Sequence, residues 1–418
     1  MTDSQAHVTS STIEGSAPRT SLGFLFVTFL KAGCLGFGGF MSLISVVDTI
    51  VVKKKKLLKH EDMLDGISLA SLLPGPQAVN VVAYAGNKLR GTWGAVVASV
   101  AVVLPSFVLM TFLSYLYGLY GDLDQVKRFF YGFVPAVSAV IVSVAWRMGK
   151  QNVKGMVEFI LVLAAIAALI LFPKSMRLYI TFLIVIAYGF FGYFIFHEKK
   201  KEDSSTTKPS GKFPVVKLML AVIMVIILIA GLYFPLKEEQ FRSMTNLVKT
   251  FGGLSVMLFG GGYVIIPMIQ HHVVDVFNWL KPDEFKDGIA FSQIMPGPIL
   301  IAAAFIGFKV KGIAGALLCT IAIFTPPAIL MVVASQAMEY LKKSAAAKAV
   351  MRAIRCGVVG MIFFAAFELA KLTDYSSFAG IWPSLVIFAA ALFVLIRYNV
   401  DVVFIIPTAG FIGYFLYP

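Results

Sequence analysis

Apolar blocks separated by short polar or charged stretches follow one another from residue 21 to the last residue of the chain. There are thirteen such blocks, most of them near the ~20 residues that a helix needs to cross the hydrocarbon core of a bilayer. Residues 1–20 are polar and lack the basic start and short apolar block of a secretory signal, so we expect a disordered cytoplasmic tail there. The pattern predicts an all-α polytopic membrane protein.

Composition points to the same class. Of the 418 residues, 59% are hydrophobic and 14% are charged, with a mean hydropathy of +0.85, whereas a soluble domain carries about 25% charged residues. The net charge of +14 matches the excess of Lys and Arg that membrane proteins keep in cytoplasmic loops, so we expect a lipid bilayer as partner and no nucleic acid. Cys34, Cys319 and Cys356 lie apart without metal-site spacing, so neither a disulfide framework nor a metal site is indicated.

A charged, Ser- and Thr-rich stretch at 198–213 predicts a cytoplasmic linker between two halves. It separates a first repeat at 21–197 from a second repeat at 235–418, and block 214–234 is expected to be a connecting transmembrane helix.

The two halves repeat each other in sequence. Asp65–Pro76 aligns with Asp287–Pro298 without a gap, with six of twelve positions identical. The same offset in residue number superimposes Phe37-Gly38-Gly39 on Phe259-Gly260-Gly261, and after a slip of one residue four further glycine and proline positions also match. Internal repeats on this scale are typical of secondary transporters, which hold substrate between two pseudosymmetric halves.

Two topologies fit these blocks. If every block crosses the membrane, the second repeat is inverted, but the lysines at 53–59 then fall outside the cell, against the positive-inside rule. If blocks 21–52 and 62–90 are instead re-entrant hairpins, broken near their centres, the basic clusters face the cytoplasm and the halves remain inverted. The charge distribution favours the hairpins.

The Pro-Gly-Pro motifs predict helix breaks, because proline lacks an N–H group and blocks the preceding turn. Within a membrane, the freed backbone groups must be buried in protein or line a wet cavity, and the helix that follows turns its N–H groups toward an anion. A simple proline kink is the alternative, and the repetition of the motif argues against it. The substrate-binding candidates are Pro74, Gly75, Pro76, Pro296, Gly297 and Pro298.

Glycine runs form a second pair of breaks ~35 residues before each Pro-Gly-Pro, where consecutive glycines allow positive φ and expose backbone amides. Close helix packing is the other interpretation. The four breaks are expected to meet at one central site. Its further candidates are the glycines Gly36, Gly38, Gly39, Gly260, Gly261 and Gly262, and the polar residues Gln77, Asn80, Tyr263, Ser292 and Gln293.

A charged residue inside an apolar block costs free energy unless its charge is paired or serves a function. Lys31 has no counterpart in the second repeat and is either the cation that selects an anion or a side chain that snorkels to the interface. Asp65 and Asp287 match and are either proton-coupling sites or helix N-caps. Four further basic residues also match between the repeats, Lys88 with Lys309 and Arg90 with Lys311. They form either a cationic rim or ordinary loop charge.

The motif set resembles that of the chromate transporter family in its long, two-domain form, over nearly all of residues 21–418. The resemblance rests on Phe29-Leu-Lys-Ala-Gly-Cys-Leu-Gly-Phe-Gly-Gly39 with Leu73-Pro-Gly-Pro76, and on Phe259-Gly-Gly-Gly-Tyr263 with Met295-Pro-Gly-Pro298. It implies efflux of chromate across a bacterial inner membrane, driven by the proton motive force, by two homologous halves of opposed topology. The second copy departs from the family pattern at Gly252, Gly253 and Ser255.

Other functions stay open at this point. A sulfate or other small-anion transporter is one alternative, because sulfate and chromate are tetrahedral dianions of similar size, and a lipid-carrier flippase is another. No nucleotide-binding loop and no hydrolase or metalloprotease motif is present, so we expect neither an enzyme nor a cofactor. A homodimer is one assembly that the chain could form.

Overall fold

The computed structural model describes residues 20–37, 39–71, 73–121, 123–173, 176–196, 239–258, 262–336, 345–370, 378–398 and 400–417. Several sequence-based predictions lie outside these residues. They concern the tail 1–19, the linker 198–213, the connecting helix 214–234, and Gly38, Gly260 and Gly261.

Every regular element in the described part of the chain is helical, which confirms the all-α prediction. The first repeat comprises α1 (Leu22–Leu35), α2 (Phe40–Asp48, continued by a π-helical turn at Thr49–Lys54), α3 (His60–Ala70), α4 (Gln77–Tyr120), α5 (Asp124–Tyr131), α6 (Phe133–Asn152), α7 (Met156–Leu171) and α8 (Arg177–Phe196). The second repeat comprises α9 (Glu239–Met257), a 3-10 turn (Tyr263–Ile265), α10 (Ile266–Gln270, continued by a π-helical turn at His271–Val276), α11 (Pro282–Ile294), a 3-10 turn (Ile299–Ile301), α12 (Ala302–Ser335), α13 (Ala345–Ala370), α14 (Phe378–Arg397) and α15 (Val402–Leu416).

The first break turns the chain back on itself. Helix α1 ends at Leu35 and α2 starts at Phe40, after Gly39 with φ 87°. The two arms run side by side, because Lys55 Nζ donates a hydrogen bond to Thr28 Oγ1 at 2.8 Å and lies 3.8 Å from the centre of the Phe24 ring. Helices α1 and α2 therefore form a helical hairpin.

The Pro-Gly-Pro breaks form the tips of equivalent hairpins. A Cβ atom on Gly66 of α3 would meet the Tyr84 ring on the first part of α4, so these arms are packed against each other on either side of Pro74–Pro76. In the second repeat, Gly288 meets Phe305 in the same way. Whether these hairpins re-enter one face of the membrane stays a prediction.

Helix α4 itself doubles back near its middle. Arg90 and Gly91 leave helical geometry, with φ −145° and 63°, and Gly86 then packs directly on Gly94, further along the chain. Lys311 and Gly312 repeat this bend in α12, with nearly the same φ values of −142° and 60°. The bend is therefore a shared feature of the two repeats.

A difference of one residue between the repeats has a structural explanation. Fourteen residues lead from Pro76 to Arg90, and thirteen lead from Pro298 to Lys311. The second repeat starts this stretch with the 3-10 turn at Ile299–Ile301, whereas α4 starts directly as an α-helix. A 3-10 helix rises about 2.0 Å per residue against about 1.5 Å in an α-helix, so three residues recover about 1.5 Å, the rise of the missing residue.

The outer surface of this helical assembly is apolar. Among the described helices, four are long and apolar enough to cross a membrane, and large hydrophobic side chains such as Trp93, Leu171 and Phe415 are exposed on it. Surfaces of this kind require lipid or a partner. The chain is a multi-pass membrane protein.

Candidate functional site

Hairpin tips from the two repeats meet, and two reciprocal hydrogen bonds join them. The Gly75 amide donates to the Leu258 carbonyl at 2.6 Å, and the Gly297 amide donates to the Gly36 carbonyl at 2.8 Å. Both donors and both acceptors are equivalent positions in the alignment of the repeats, which is the pattern of a twofold relation. These two amides, which the sequence predicts to face the substrate, instead join the repeats.

Glycine is required at both of these positions. Gly75 has φ 114° and Gly297 has φ 110°, a region that side chains strain. A Cβ atom at Gly75 would collide with the ring of Pro327, and one at Gly297 would lie 2.9 Å from Ser106 Oγ. Each repeat thus presses its glycine against the long helix of the other.

Polar side chains around this crossing are buried and partly unpaired. Asn80 Nδ2 donates to the Pro74 carbonyl at 3.1 Å, but Asn80 Oδ1 has no partner among the described residues. The Tyr263 hydroxyl donates to Gln293 Oε1 at 3.3 Å, and Gln293 Nε2 likewise has no described partner. Ser292 donates to the Ile289 carbonyl of its own helix. The predicted polar candidates are therefore brought together, in two groups around the tips.

A cavity of about 270 Å³ opens beside the Pro-Gly-Pro tip of the first repeat. Its walls come from α2, α3, the start of α4, α6 and α13, so both repeats contribute. Its polar lining consists of Ser68, Ser71, Gln77, Gln151, Asn152 and Arg355. Of the predicted candidates, Gln77 alone lines it.

Arg355 is the charged residue of this lining. Its Nη2 donates to Ser71 Oγ at 3.1 Å, and no carboxylate forms an ion pair with it in the described part of the chain. One turn earlier on α13, Arg352 is paired with Glu158 of α7 through Nε at 2.9 Å and through Nη2. Helix α13 thus carries one neutralised arginine and one whose charge faces the cavity.

The equivalent position in the second repeat is closed. Tyr263, Gln293 and Ile299 correspond to Met41, Ser71 and Gln77 of the cavity, and each of the three is no more than 6% exposed. Met41, by contrast, is 54% exposed. The Tyr263 side chain fills the space that is open beside Met41.

Other predicted site residues lie elsewhere. Lys31 is exposed on α1 and does not line the cavity. Lys88 pairs with Asp62 at 3.4 Å and Lys309 with Glu284 at 2.8 Å, so these matched lysines join the two arms of each hairpin. Arg90 donates to the Thr20 carbonyl at 3.3 Å, and Lys311 is half-buried at the matching bend.

The two matched aspartates lie within helices. The N-caps of α3 and α11 are Lys59 and Lys281, six residues before Asp65 and Asp287, so the alternative interpretation of N-capping is wrong. Asp287 accepts a hydrogen bond of 2.7 Å from the Tyr117 hydroxyl of α4. Tyr117 lies among Phe130, Phe291 and Phe305, so this polar contact between the repeats is enclosed by aromatic rings.

Sequence reasoning missed Arg355. Its signal was present, because Arg355 lies within the apolar block 350–369, and a charge in such a block is costly unless it is used or paired. Among the described residues, no three His, Cys, Asp or Glu side chains are grouped as a metal site.

Comparison with known proteins identifies the family. The family model "Chromate transporter" matches twice, at residues 24–193 and 245–414. The chain is 30% identical to a probable chromate transport protein of Synechococcus elongatus, over 78% of each chain. It is 27% identical to the chromate transport protein of Cupriavidus metallidurans, over 85% of this chain and 84% of the relative, and 26% identical to that of Pseudomonas aeruginosa, over 98% and 96%. No solved structure matches the chain. Two matched halves that together cover most of its length place the chain in the chromate transporter family.

Proposed function

We propose that this chain is a secondary transporter that exports chromate across a bacterial inner membrane, driven by the proton motive force. Family membership supports the proposal, and the carrying observation is that equivalent hairpins are open to a cavity in the first repeat and closed in the second. A transporter of two pseudosymmetric halves requires this difference, because its substrate site must face one side of the membrane at a time. Transport would then exchange the two states.

The charge distribution indicates which side of the membrane the cavity faces. Gln151, which lines the cavity, lies at the end of α6, close in sequence to the basic residues Arg147, Lys150 and Lys154. The positive-inside rule assigns such a cluster to the cytoplasm. On this assignment the cavity opens to the cytoplasm, the side from which the proposed exporter takes its substrate.

The membrane potential favours export of a dianion. Moving one elementary charge across the membrane changes its free energy by about 2.3 kcal/mol per 100 mV. Moving a dianion out of an inside-negative cell therefore releases about 4.6 kcal/mol per 100 mV. The electrical part of the proton motive force alone therefore suffices to drive efflux. Asp287, hydrogen-bonded to Tyr117 between the repeats, is the proposed proton carrier for the pH-gradient part, and Asp65 is its counterpart in the first repeat.

The size of the cavity weighs against a lipid flippase. The cavity volume of about 270 Å³ lies below the ~300–1,000 Å³ of pockets that hold drug-sized ligands, and a phospholipid is larger than those ligands. Sulfate is harder to separate from chromate, since charge and tetrahedral shape are shared. Sulfate transport by the same site is the second candidate function.

Everted membrane vesicles from cells that express the full chain test the proposal. Radiolabelled chromate uptake into these vesicles corresponds to export, and we expect it to depend on respiration and to stop when a protonophore is added. A potential imposed with potassium and valinomycin, and a pH gradient imposed separately, divide the driving force into its two parts. Vesicles without the protein are the control, and unlabelled sulfate measures competition.

Uptake that equals the control, with the protein present in the membrane, would show that chromate is not the substrate. Uptake that survives the protonophore would retain chromate as substrate but remove the proton motive force. Movement of a fluorescent phospholipid between leaflets of proteoliposomes would favour the flippase.

A further inference from the structure

We propose that Arg355 is the charge partner of the transported oxyanion, bound in the cavity beside the Pro-Gly-Pro tip of the first repeat. The inference rests on the proposed function, because it names the substrate site of that transporter. Its ligand class is a tetrahedral dianion such as chromate or sulfate. Neither the motifs in the sequence nor the matched charges of the two repeats assign a role to this residue.

The charge balance of the cavity carries the argument. Arg355 contributes the cationic charge of the lining, and the other polar residues of the lining are uncharged serines and amides. Arg355 is half-buried, and burying a charge costs free energy unless the charge is paired or well hydrogen-bonded. The Ser71 hydroxyl is a neutral partner, so the guanidinium retains a full charge for a ligand.

Arg352 provides an internal comparison on the same helix. Three residues before Arg355, it is paired with Glu158 and stacks on the Phe196 ring at 4.5 Å. A carboxylate partner of this kind neutralises the charge of an arginine whose role is structural. That Arg355 lacks one, among the described residues, is what an anion site requires.

Other hydrogen-bond donors line the same cavity as the guanidinium. Arginine has five N–H donors in a planar fork, and Ser71 is the single hydrogen-bond partner of Arg355 in the described chain. The amides of Gln77 and Gln151 line the same cavity and have no partner among the described residues. The hydroxyls of Ser68 and Ser71 donate to backbone carbonyls of α3, so they serve to orient rather than to bind. Three side chains thus remain to donate hydrogen bonds to an oxyanion.

The site also joins the two repeats. Arg355 belongs to the second repeat, whereas Ser71 and Gln77 lie on either side of the Pro-Gly-Pro tip of the first, 284 residues from Arg355 in the case of Ser71. An anion held between them would pull this tip toward α13. Binding would therefore act directly on the crossing where the hairpins meet.

The test is equilibrium binding of radiolabelled chromate and sulfate to the full chain in lipid nanodiscs. An ionic hydrogen-bond partner contributes about 1.5–3 kcal/mol, so Arg355→Gln should raise Kd by roughly 10- to 150-fold. Arg355→Lys keeps the charge but loses the fork, and should raise Kd less. Lys150→Gln removes one exposed charge from α6 outside the cavity lining and should leave Kd unchanged.

Lys31→Gln decides between this inference and the cation predicted from the sequence. Loss of binding in Lys31→Gln together with normal binding in folded Arg355→Gln would overturn the proposal. Binding of sulfate but not chromate, lost in Arg355→Gln, would retain the site and reject chromate as substrate. A wild-type chain that binds neither anion would overturn both.

Phenylglyoxal modification keeps the proposal testable if Arg355→Gln does not fold. Chromate should protect Arg355 of the wild-type chain from this arginine reagent, as measured by mass spectrometry of its peptide. Exposed Arg147, which does not line the cavity, serves as the unprotected reference. Equal modification of Arg355 with and without saturating chromate would overturn the proposal.

Discussion

The first-repeat cavity and the closed second-repeat position lie at equivalent hairpins, which carry different side chains. Met41 and Ser71 in the first become Tyr263 and Gln293 at the equivalent positions of the second. The Tyr263 phenol reaches Gln293 and fills the position, whereas Met41 remains at the surface and leaves the space open. In this state, a small number of side chains therefore distinguishes the open half from the closed one.

The charged residues also differ between the two repeats. The pairs Lys88–Asp62 and Lys309–Glu284 occur in both repeats at matching positions, and each joins the arms of a hairpin. Arg355 has no such counterpart, because the alignment of the repeats, with or without the slip of one residue, leads to the buried apolar residues Val134 and Phe133. Interactions present twice maintain the common fold, and those present once are where substrate chemistry can differ between the halves.

The largest effect is expected where the halves cross. Gly75→Ala forces a side chain into positive φ, which costs about 1–3 kcal/mol, and also drives its Cβ atom into the rigid Pro327 ring. Gly297→Ala has the same backbone strain but meets the Ser106 hydroxyl, which can rotate away. We expect Gly75→Ala to abolish folded protein and Gly297→Ala to weaken it, as measured by size-exclusion chromatography and thermal unfolding.

Replacing Ser106 provides the control for this comparison. Ser106→Ala removes the nearest atom and should recover part of the stability lost in Gly297→Ala, but none of that lost in Gly75→Ala. Equal losses in both glycine variants, without recovery, would mean that backbone strain alone matters and that contacts across the repeats do not.

The next effect concerns the coupling of chromate uptake to proton movement. Asp287→Asn keeps the size of the side chain but cannot take up a proton, so we expect uptake driven by an imposed pH gradient to be lost and uptake driven by potential to persist. Tyr117→Phe removes the hydrogen bond to Asp287 but leaves its carboxylate in place, and should reduce the pH-driven part less. If Asp287→Asn leaves both parts equal to wild type, the proton carrier lies elsewhere, and Asp65→Asn is the next variant to measure.

Much of this arrangement could be predicted from the sequence. The apolar blocks, the repeat and the four breaks are local patterns, and they led to the helical fold and to hairpin tips that meet. Arg355 and its cavity could not be predicted in this way, because they depend on which face of α13 packs beside a tip 284 residues away in sequence. The same limit explains Gly75 and Gly297: their positive φ follows from the motif, but the carbonyls that capture their amides belong to the other repeat.

A smaller effect should follow from loosening the closed position. Tyr263→Phe removes one hydrogen bond, worth about 0.5–1.5 kcal/mol, so the population in which the second repeat is open should rise about 2- to 12-fold. The measure is the labelling rate of Ala290→Cys by a thiol reagent, in a chain whose Cys34, Cys319 and Cys356 are replaced. Ala290 is buried in the closed half and corresponds to exposed Ser68, so Ser68→Cys is the matched reference.

The expected pattern for that measurement is reciprocal. Tyr263→Phe should speed labelling at position 290 and slow it at position 68, because opening one half closes the other. Faster labelling at position 290 with no change at position 68 would mean that the halves open independently, and the exchange of states between repeats would be wrong.

The smallest effect is expected from the charge pairs that occur twice. Lys88→Gln and Lys309→Gln each break one partly exposed ion pair, of a kind that contributes about 0–1 kcal/mol, so thermal unfolding should shift slightly in both. The shift should be the larger in Lys309→Gln, because Lys309 Nζ also lies 5.5 Å from the centre of the Tyr117 ring. Chromate uptake in everted vesicles should stay at the wild-type rate, because neither lysine lines the cavity. A large fall in uptake in one variant and not in the other would show that these matched lysines act on the substrate as the predicted cationic rim. Occurrence in both repeats would then no longer identify an interaction as structural rather than as one that acts on the substrate.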